Sequence, residues 1–417
     1  MGKPAGRRIL VAAVAVLTVA AAAAVVLRVL APAEVETVAR GAYPAAPAPP
    51  TGVIGRLPVA PLVVDGRLRV YAGARQVYAD QPVSGKHRVT PFWSYRRWPA
   101  KLVGVLAEGT TVVSRWSDGK LVALDARTGR VVWRADGPEP GAVPKPRRTY
   151  AATVWDPAGL HVTRAAGGGA VLVAAGPSAV GGYALTDGRR LWRAEVGRGC
   201  RADVGTTAAG ELVGVDSCAG PARVEFRDAA TGAVRTRWRP PDAPDGLVVT
   251  PVGCRDGHSS CRGLRTSGRG DETGRGWLVP AAGEPVAAPA LDGPDTELDG
   301  EHAVSVAGGV VTGRSARTGE ELWRRADLGA VRILAVEPGR VHLLTEGRDL
   351  IALDPATGAE RSRFVMDIGR DGTGWQPGRA HAAGGYVAVE RLHEGARPED
   401  DDQGYFLMAE SVLLAAT

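Results

Sequence analysis

Residues 121–133 read LVALDARTGRVVW and residues 350–364 read LIALDPATGAERSRF. The two stretches share an apolar run, an Asp, a Thr-Gly pair and an aromatic residue after the glycine, although more than two hundred residues separate them. Each part has a physical task. LVALDA alternates, with Leu121, Ala123 and Asp125 on one side and Val122 and Leu124 on the other, the period of a β-strand. Asp125, Asp228 and Asp354 each stand four residues before a glycine, where a carboxylate can accept backbone N–H groups and tighten a turn. The glycine supplies the positive φ that a residue with a Cβ resists. Trp133, Trp192 and Trp323 follow their glycines by four residues, in the returning strand.

Aligned on that glycine, the chain yields Gly129, Gly188, Gly232, Gly274, Gly319 and Gly358, spaced by 59, 44, 42, 45 and 39 residues. The long first interval holds a Pro-rich insertion, GPEPGAVPKPRR, at residues 137–148. Gly85, 44 residues before Gly129, marks a degenerate first copy, and GYFLMAESVLLAA at residues 404–416 closes the series as a last strand pair. Trp238 and Trp277 fall six and three residues after their glycines, so those copies are looser. A unit of 40–45 residues holding four short strands buries its faces only against copies of itself, as a propeller blade does. The periodic aromatic is the natural filler between blades. The expected fold class is all-β, a β-propeller of four-stranded blades: eight blades, or seven if the first or last copy completes another.

Composition agrees with many short strands, since 56 Gly and 30 Pro punctuate the 417 residues. The net charge of +6 is mildly basic, but Lys3, Arg7, Arg8 and Arg28 flank one apolar run near the N-terminus. Without them the remainder is close to neutral, which argues against nucleic acid as a partner. That run, Ile9 to Leu27, holds 19 uncharged residues. As a helix it spans about 28 Å, close to a hydrocarbon core. Its positive flank places the N-terminus in the cytoplasm and the rest of the chain outside. A cleaved signal peptide ending near Ala31-Pro32-Ala33 is the competing reading. The expected organisation is a short cytoplasmic segment (1–8), a single-pass transmembrane anchor (9–30), a Pro/Ala-rich spacer (31–62) and a propeller (63–417).

The phrase L-[VI]-A-L-D-x-x-T-G-x-x-x-W resembles the PQQ-like β-propeller repeat of the quinoprotein alcohol dehydrogenases and of the outer-membrane-assembly propeller proteins. The resemblance runs from about Val63 to the end. For an enzyme of that family it implies a quinone and a Ca²⁺ ion, an Asn among the metal ligands, a catalytic Asp and often a disulfide between adjacent cysteines. This chain has no Asn and no Cys-Cys pair. The expectation is therefore no cofactor, neither pyrroloquinoline quinone nor calcium, and no catalytic or metal-binding residue to number. The blade motif itself belongs to the fold and not to a site.

Cys200, Cys218, Cys254 and Cys261 are an even set, which in an exported domain reads as two disulfides, Cys254 with Cys261 and Cys200 with Cys218. Cys254, His258 and Cys261 also form an incomplete metal-ligand set. In PFWSYRRWPAK, residues 91–101, Trp93, Tyr95 and Trp98 alternate with Arg96 and Arg97. That stretch is either a recognition patch or an outer strand with its aromatics inside. Glu399, Asp400, Asp401 and Asp402 crowd one acidic loop, and Arg269-Gly270-Asp271 sits in a turn. The functional expectation is a membrane-anchored, extracytoplasmic, non-enzymatic scaffold on the cell membrane, holding a protein partner of the envelope. The alternatives are a quinone-dependent oxidoreductase and a ligand-sensing receptor.

Overall fold

The repeats fold into antiparallel sheets, eight of them among the described residues, and each contains four strands except the first, which has five. The computed structural model describes residues 13–22, 33–141, 147–197, 199–241, 243–271, 273–397 and 402–417. From inner to outer strand, blade 1 comprises Leu62–Val64, Leu68–Gly73, Gln76–Asp80 and Trp93–Arg97. Blades 2 to 4 have inner strands Leu102–Glu108, Leu160–Arg164 and Arg201–Thr206, and outer strands Val131–Asp136, Arg190–Glu195 and Val234–Trp238. Blades 5 to 7 have inner strands Val248–Val252, Thr296–Asp299 and Val331–Glu337, and outer strands Val286–Ala287, Glu321–Arg325 and Glu360–Val365. Inner strands touch in succession from blade 1 to blade 5 and from blade 6 to blade 8, so they line a central axis.

Blade 8 contains Gln376–Ala383, Tyr386–Leu392 and Val412–Ala416, and its outer strand is Gly52–Leu57, from the beginning of the chain. Leu57 pairs with Val412 and Gly52 with Ala416, which closes the ring. Asp371 holds the closure, accepting from Arg56 at 2.7 Å and from Arg391 at 2.9 Å. The closing strand then meets blade 1 backbone to backbone at Gly55 and Gly85, where a Cβ on either residue would strike the other's main chain. Gly85 is thus indispensable in the degenerate first copy for a different reason from the other turn glycines.

This arrangement corrects the expected spacer. Of residues 31–62, Gly52–Leu57 completes blade 8, while Glu34–Thr37 adds a fifth strand to the edge of blade 1, pairing Glu34 with Arg97. Pro44, Pro47, Pro49 and Pro50, which cannot donate to a ladder, lie in the irregular connection between these two strands, and Pro58 and Pro61 follow the second. The last strand pair is likewise a single strand, Val412–Ala416, because its partner comes from the other end of the chain.

The repeated phrase is apolar on both faces because both faces are joints. Leu121 and Ala123 pack with Leu160 and Leu172 of blade 3, whereas Val122 and Leu124 pack with Val77 and Trp93 of blade 1. Residues 13–22 form a helix with exposed side chains. No helix among the described residues is long and apolar enough to cross a membrane, and the remainder of the apolar run lies outside the described residues.

Candidate functional site: blade joints and a plugged channel

Each well-formed copy of the phrase builds half of a joint. Asp125 Oδ1 accepts the Arg127 N–H at 3.0 Å and Asp228 Oδ1 accepts the Thr231 N–H at 2.7 Å. Asp354 Oδ1 does the same for Ala356 at 2.9 Å. The glycine at the end of the turn has φ of 72° at Gly129 and Gly188, 75° at Gly232 and Gly319, and 69° at Gly358. The tryptophan of the preceding blade then lies flat against that glycine. A Cβ on Gly188 would stand 2.5 Å from Trp133, one on Gly232 2.6 Å from Trp192, and one on Gly358 2.6 Å from Trp323. The indole N–H of Trp133 donates to the Leu185 carbonyl at 2.8 Å. In the same way Trp93, Trp192 and Trp323 reach Ala126, Ala229 and Pro355 at 2.7, 2.7 and 2.8 Å. Glycine and tryptophan are therefore conjugate parts of one inter-blade contact.

Gly274 is an exception to the expected pattern. It lies between the second and third strands of blade 5, Gly263–Ser267 and Arg275–Leu278, and is absent from the positive-φ glycines. The true outer turn of that blade contains Gly283, with φ of 98°. The spacing misled because blade 5 carries a long insertion between its first two strands. Trp277 accordingly sits in a third strand, edge-on to Trp238 with ring centroids 4.9 Å apart.

That insertion, residues 253–262, occupies the central axis. Arg255 pairs with Glu108 of blade 2, and the Ser259 hydroxyl accepts the Val162 N–H of blade 3 at 3.1 Å. The His258 carbonyl accepts the Thr206 N–H of blade 4 at 2.9 Å, and Asp256 approaches His381 of blade 8 at 4.0 Å. A loop from blade 5 that touches blades 2, 3, 4 and 8 can lie only across the middle of the ring. The expected disulfide between Cys254 and Cys261 joins the two ends of the plug, and the expected Cys200–Cys218 bond staples blade 4.

Titratable groups gather around the plug. His161 bonds Asp203 at 2.6 Å, and the His258 ring stacks on His161 at 6.5 Å. Burial pushes the Asp203 carboxyl up, but the His161 charge and hydrogen bond, with His258 and Arg115 near, outweigh it and hold it below the ordinary range. A cavity of about 370 Å³ beside the plug is lined by Trp155, Asp256, Glu297, Arg379 and His381. Burial raises Asp256 to about 6, against the charge of Arg255, and lowers His381 to about 4. Among the described residues no three His, Cys, Asp or Glu side chains converge as metal ligands, and Cys254 and Cys261 are bonded to each other. The resemblance implies an Asn among the calcium ligands, and the chain contains no Asn.

The aromatic-arginine stretch divides as a strand must. Trp93 and Tyr95 are wholly buried, Tyr95 edge-on to Trp116 at 5.8 Å. Arg97 pairs with Glu34 at 3.1 Å and Asp118 at 2.9 Å, and Arg96 is exposed. Trp98, half exposed, lies under Arg75 at 4.2 Å. The five residues do not assemble into one surface patch. Glu399, Asp400 and Asp401 lie outside the described residues, while Asp402 accepts the Arg148 N–H at 3.0 Å. Asp271 caps its own turn through Thr273. The plug is the feature that sequence reasoning missed. Its only signal was two cysteines bracketing a polar run that lacks strand alternation.

Residues 35–251 and 298–389 match the protein family described as outer membrane protein assembly factor BamB, well over half of the chain. The interruption coincides with the plug and the rest of blade 5. No curated protein sequence matches. Among solved structures, BamB from Moraxella catarrhalis is 15% identical over 87% of this chain and 99% of its own, with a TM-score of 0.46. The computationally designed Ika8 protein is 14% identical over 88% of this chain and 100% of its own, with a TM-score of 0.45. The C-terminal WD40 domain of Sif2 is 11% identical over 88% and 98%, with a TM-score of 0.49. The eight sheets establish the fold without these likenesses.

Proposed function

The chain belongs to the outer membrane protein assembly factor BamB family, and from that premise we propose that it is a non-enzymatic scaffold that holds a partner protein. The observation that carries the reading is the plug. A propeller whose axis is crossed by its own disulfide-closed loop offers the blade faces and outer joints for binding, in place of a through-going funnel. In this reading the apolar run of residues 9–27 anchors the chain in the cell membrane, with the propeller on the extracytoplasmic side, where the two disulfides persist.

The test is photo-crosslinking in intact cells, with the anchor segment alone as control. A defined protein adduct specific to the full chain supports the scaffold. Adducts no different from the control count against it. Titration of the full chain with pyrroloquinoline quinone and Ca²⁺, followed by dye-linked alcohol oxidation, tests the enzymatic alternative, and turnover would overturn the reading.

A further inference from the structure

The loop that crosses the axis also carries charged side chains into a cavity. Asp256 and His258 of the plug share the cavity of about 370 Å³ with Trp155 and Asp156, which precede blade 3, with Glu297 of blade 6, and with the inner strands of blades 7 and 8. That volume falls within the roughly 300–1,000 Å³ of small-molecule sites. The loop is held in shape before any ligand arrives. The Cys254–Cys261 bond joins its ends, the Arg255 N–H donates to the Ser259 carbonyl at 2.9 Å, and the Ser259 N–H donates to the Asp256 carbonyl at 2.8 Å.

The lining is unbalanced in charge. It holds three carboxylates, Asp156, Asp256 and Glu297, against two guanidiniums, Arg255 and Arg379. Arg255 is divided between Asp256 at 3.6 Å and Glu108 of blade 2. His381 approaches Asp256 at 4.0 Å, but burial lowers its pKa to about 4, so it is neutral at pH 7 and cancels no charge. Asp156 faces the His258 ring at 3.7 Å. Glu297 makes no hydrogen bond and no ion pair with any described residue. Its burial raises its pKa, opposed only by the more distant charge of Arg265. A carboxylate left in that state costs stability, and perturbed, unpaired groups in a cleft mark functional sites. The rest of the wall is apolar. Ile333, Leu334 and Ala335 of blade 7 line the cavity and are only partly buried, and Trp155, stacked on His381 at 6.0 Å, adds an aromatic side.

We infer that this cavity binds a small organic cation, a protonated amine on a short apolar body, with the ammonium on Glu297 in the field of Asp256 and the body along Ile333 and Leu334. An ammonium needs one carboxylate at hydrogen-bond distance, whereas a metal ion needs several converging ligands. Among the described residues no three His, Cys, Asp or Glu side chains converge in that way. The cation supplies the partner that Glu297 lacks, and the plug becomes one wall of a ligand site as well as the closure of the axis. The inference does not rest on the scaffold reading.

The test is a ¹⁹F NMR titration of the full chain at about pH 7 with 4,4,4-trifluorobutylamine, and with 4,4,4-trifluorobutan-1-ol as its neutral isostere. Saturable broadening of the amine is expected, and the alcohol should bind at least about tenfold weaker for loss of a charge-assisted hydrogen bond. Glu297→Gln keeps the shape and removes the charge. It is expected to weaken amine binding by a similar factor while leaving the urea midpoint unchanged or raised, which separates loss of the ligand from loss of the fold. If Glu297→Gln lowers the midpoint instead, Asp256→Asn decides in its place, with weaker amine binding expected. Absence of saturable broadening, equal binding of the alcohol, or undiminished amine binding by the deciding variant overturns the inference.

Discussion

Replacing Gly188 and Gly319 by alanine, one at a time, measures what the turn glycines are for. Both have nearly the same backbone, with φ of 72° and 75°. Holding an L-residue in that conformation costs about 1–2 kcal/mol. Removing a glycine from the unfolded chain returns about 0.4–1 kcal/mol, equally at both sites. Only the surroundings differ. At Gly188 the new methyl would stand 2.5 Å from Trp133 Cε3 and 2.6 Å from Cδ2, where carbon atoms prefer about 3.5–4.0 Å. The indole has to retreat from the Leu185 carbonyl, and such overpacking typically costs about 1–3 kcal/mol. At Gly319 the methyl enters open space. Gly188→Ala should therefore destabilise the protein by about 1–3 kcal/mol more than Gly319→Ala. Urea midpoints at an unchanged slope, followed by tryptophan fluorescence, give the two values. Equal losses would refute the claim that the glycine exists to admit the indole.

Three further outcomes follow from the geometry. Converting both Cys254 and Cys261 to alanine should cost roughly 2–3 kcal/mol by loop entropy and accelerate amide exchange at Ser259 and Ser260 while the blades stay protected; unchanged exchange would mean that the plug holds itself without the bond. His342 is fully buried, with its Nε2 3.2 Å from Thr417 Oγ1, and burial lowers its pKa to about 4, so it is neutral in the fold. A ring whose pKa falls on folding contributes stability that is intact above the unfolded value and is lost as pH drops through the window from about 6.5 to 4. His342→Gln should thus lose about 2 kcal/mol less than the parent between pH 7.5 and pH 5, read from urea midpoints at the two values, and equal losses would exonerate the ring. Finally, deletion of residues 1–45 removes only the strand Glu34–Thr37 and should leave a cooperative unfolding transition, whereas deletion of residues 1–60 also removes Gly52–Leu57 and should abolish it. A folded 61–417 chain would contradict ring closure by that strand.

The fold was legible because a propeller repeats its physics. Every joint needs an apolar strand on both faces, a turn that admits an indole and an aromatic to fill the gap, so Leu121–Trp133 and its copies announce the ring. Both disulfides were readable from an even cysteine set. What misled was local. Gly274 and Trp277 have the right identities near the right interval, but an insertion of residues 253–262 had displaced the register, and Gly283 sits in the turn before the outer strand. For Trp93 and Tyr95 the sequence left open a recognition patch or an outer strand with its aromatics inside, because alternation in an outer strand does not say which side faces a neighbouring blade, and both side chains are buried.

The sequence alone was sufficient for the blade and its turn chemistry, because these depend on contacts within about fifteen residues, while it left the ring at eight blades or seven and the eight sheets decide it. Only the tertiary structure could decide which segment closes the ring and what lies on the axis. Both outcomes depend on where one blade's residues meet another's. Gly52–Leu57 finds Val412–Ala416 across almost the whole chain, and the plug of blade 5 touches blades 2, 3, 4 and 8.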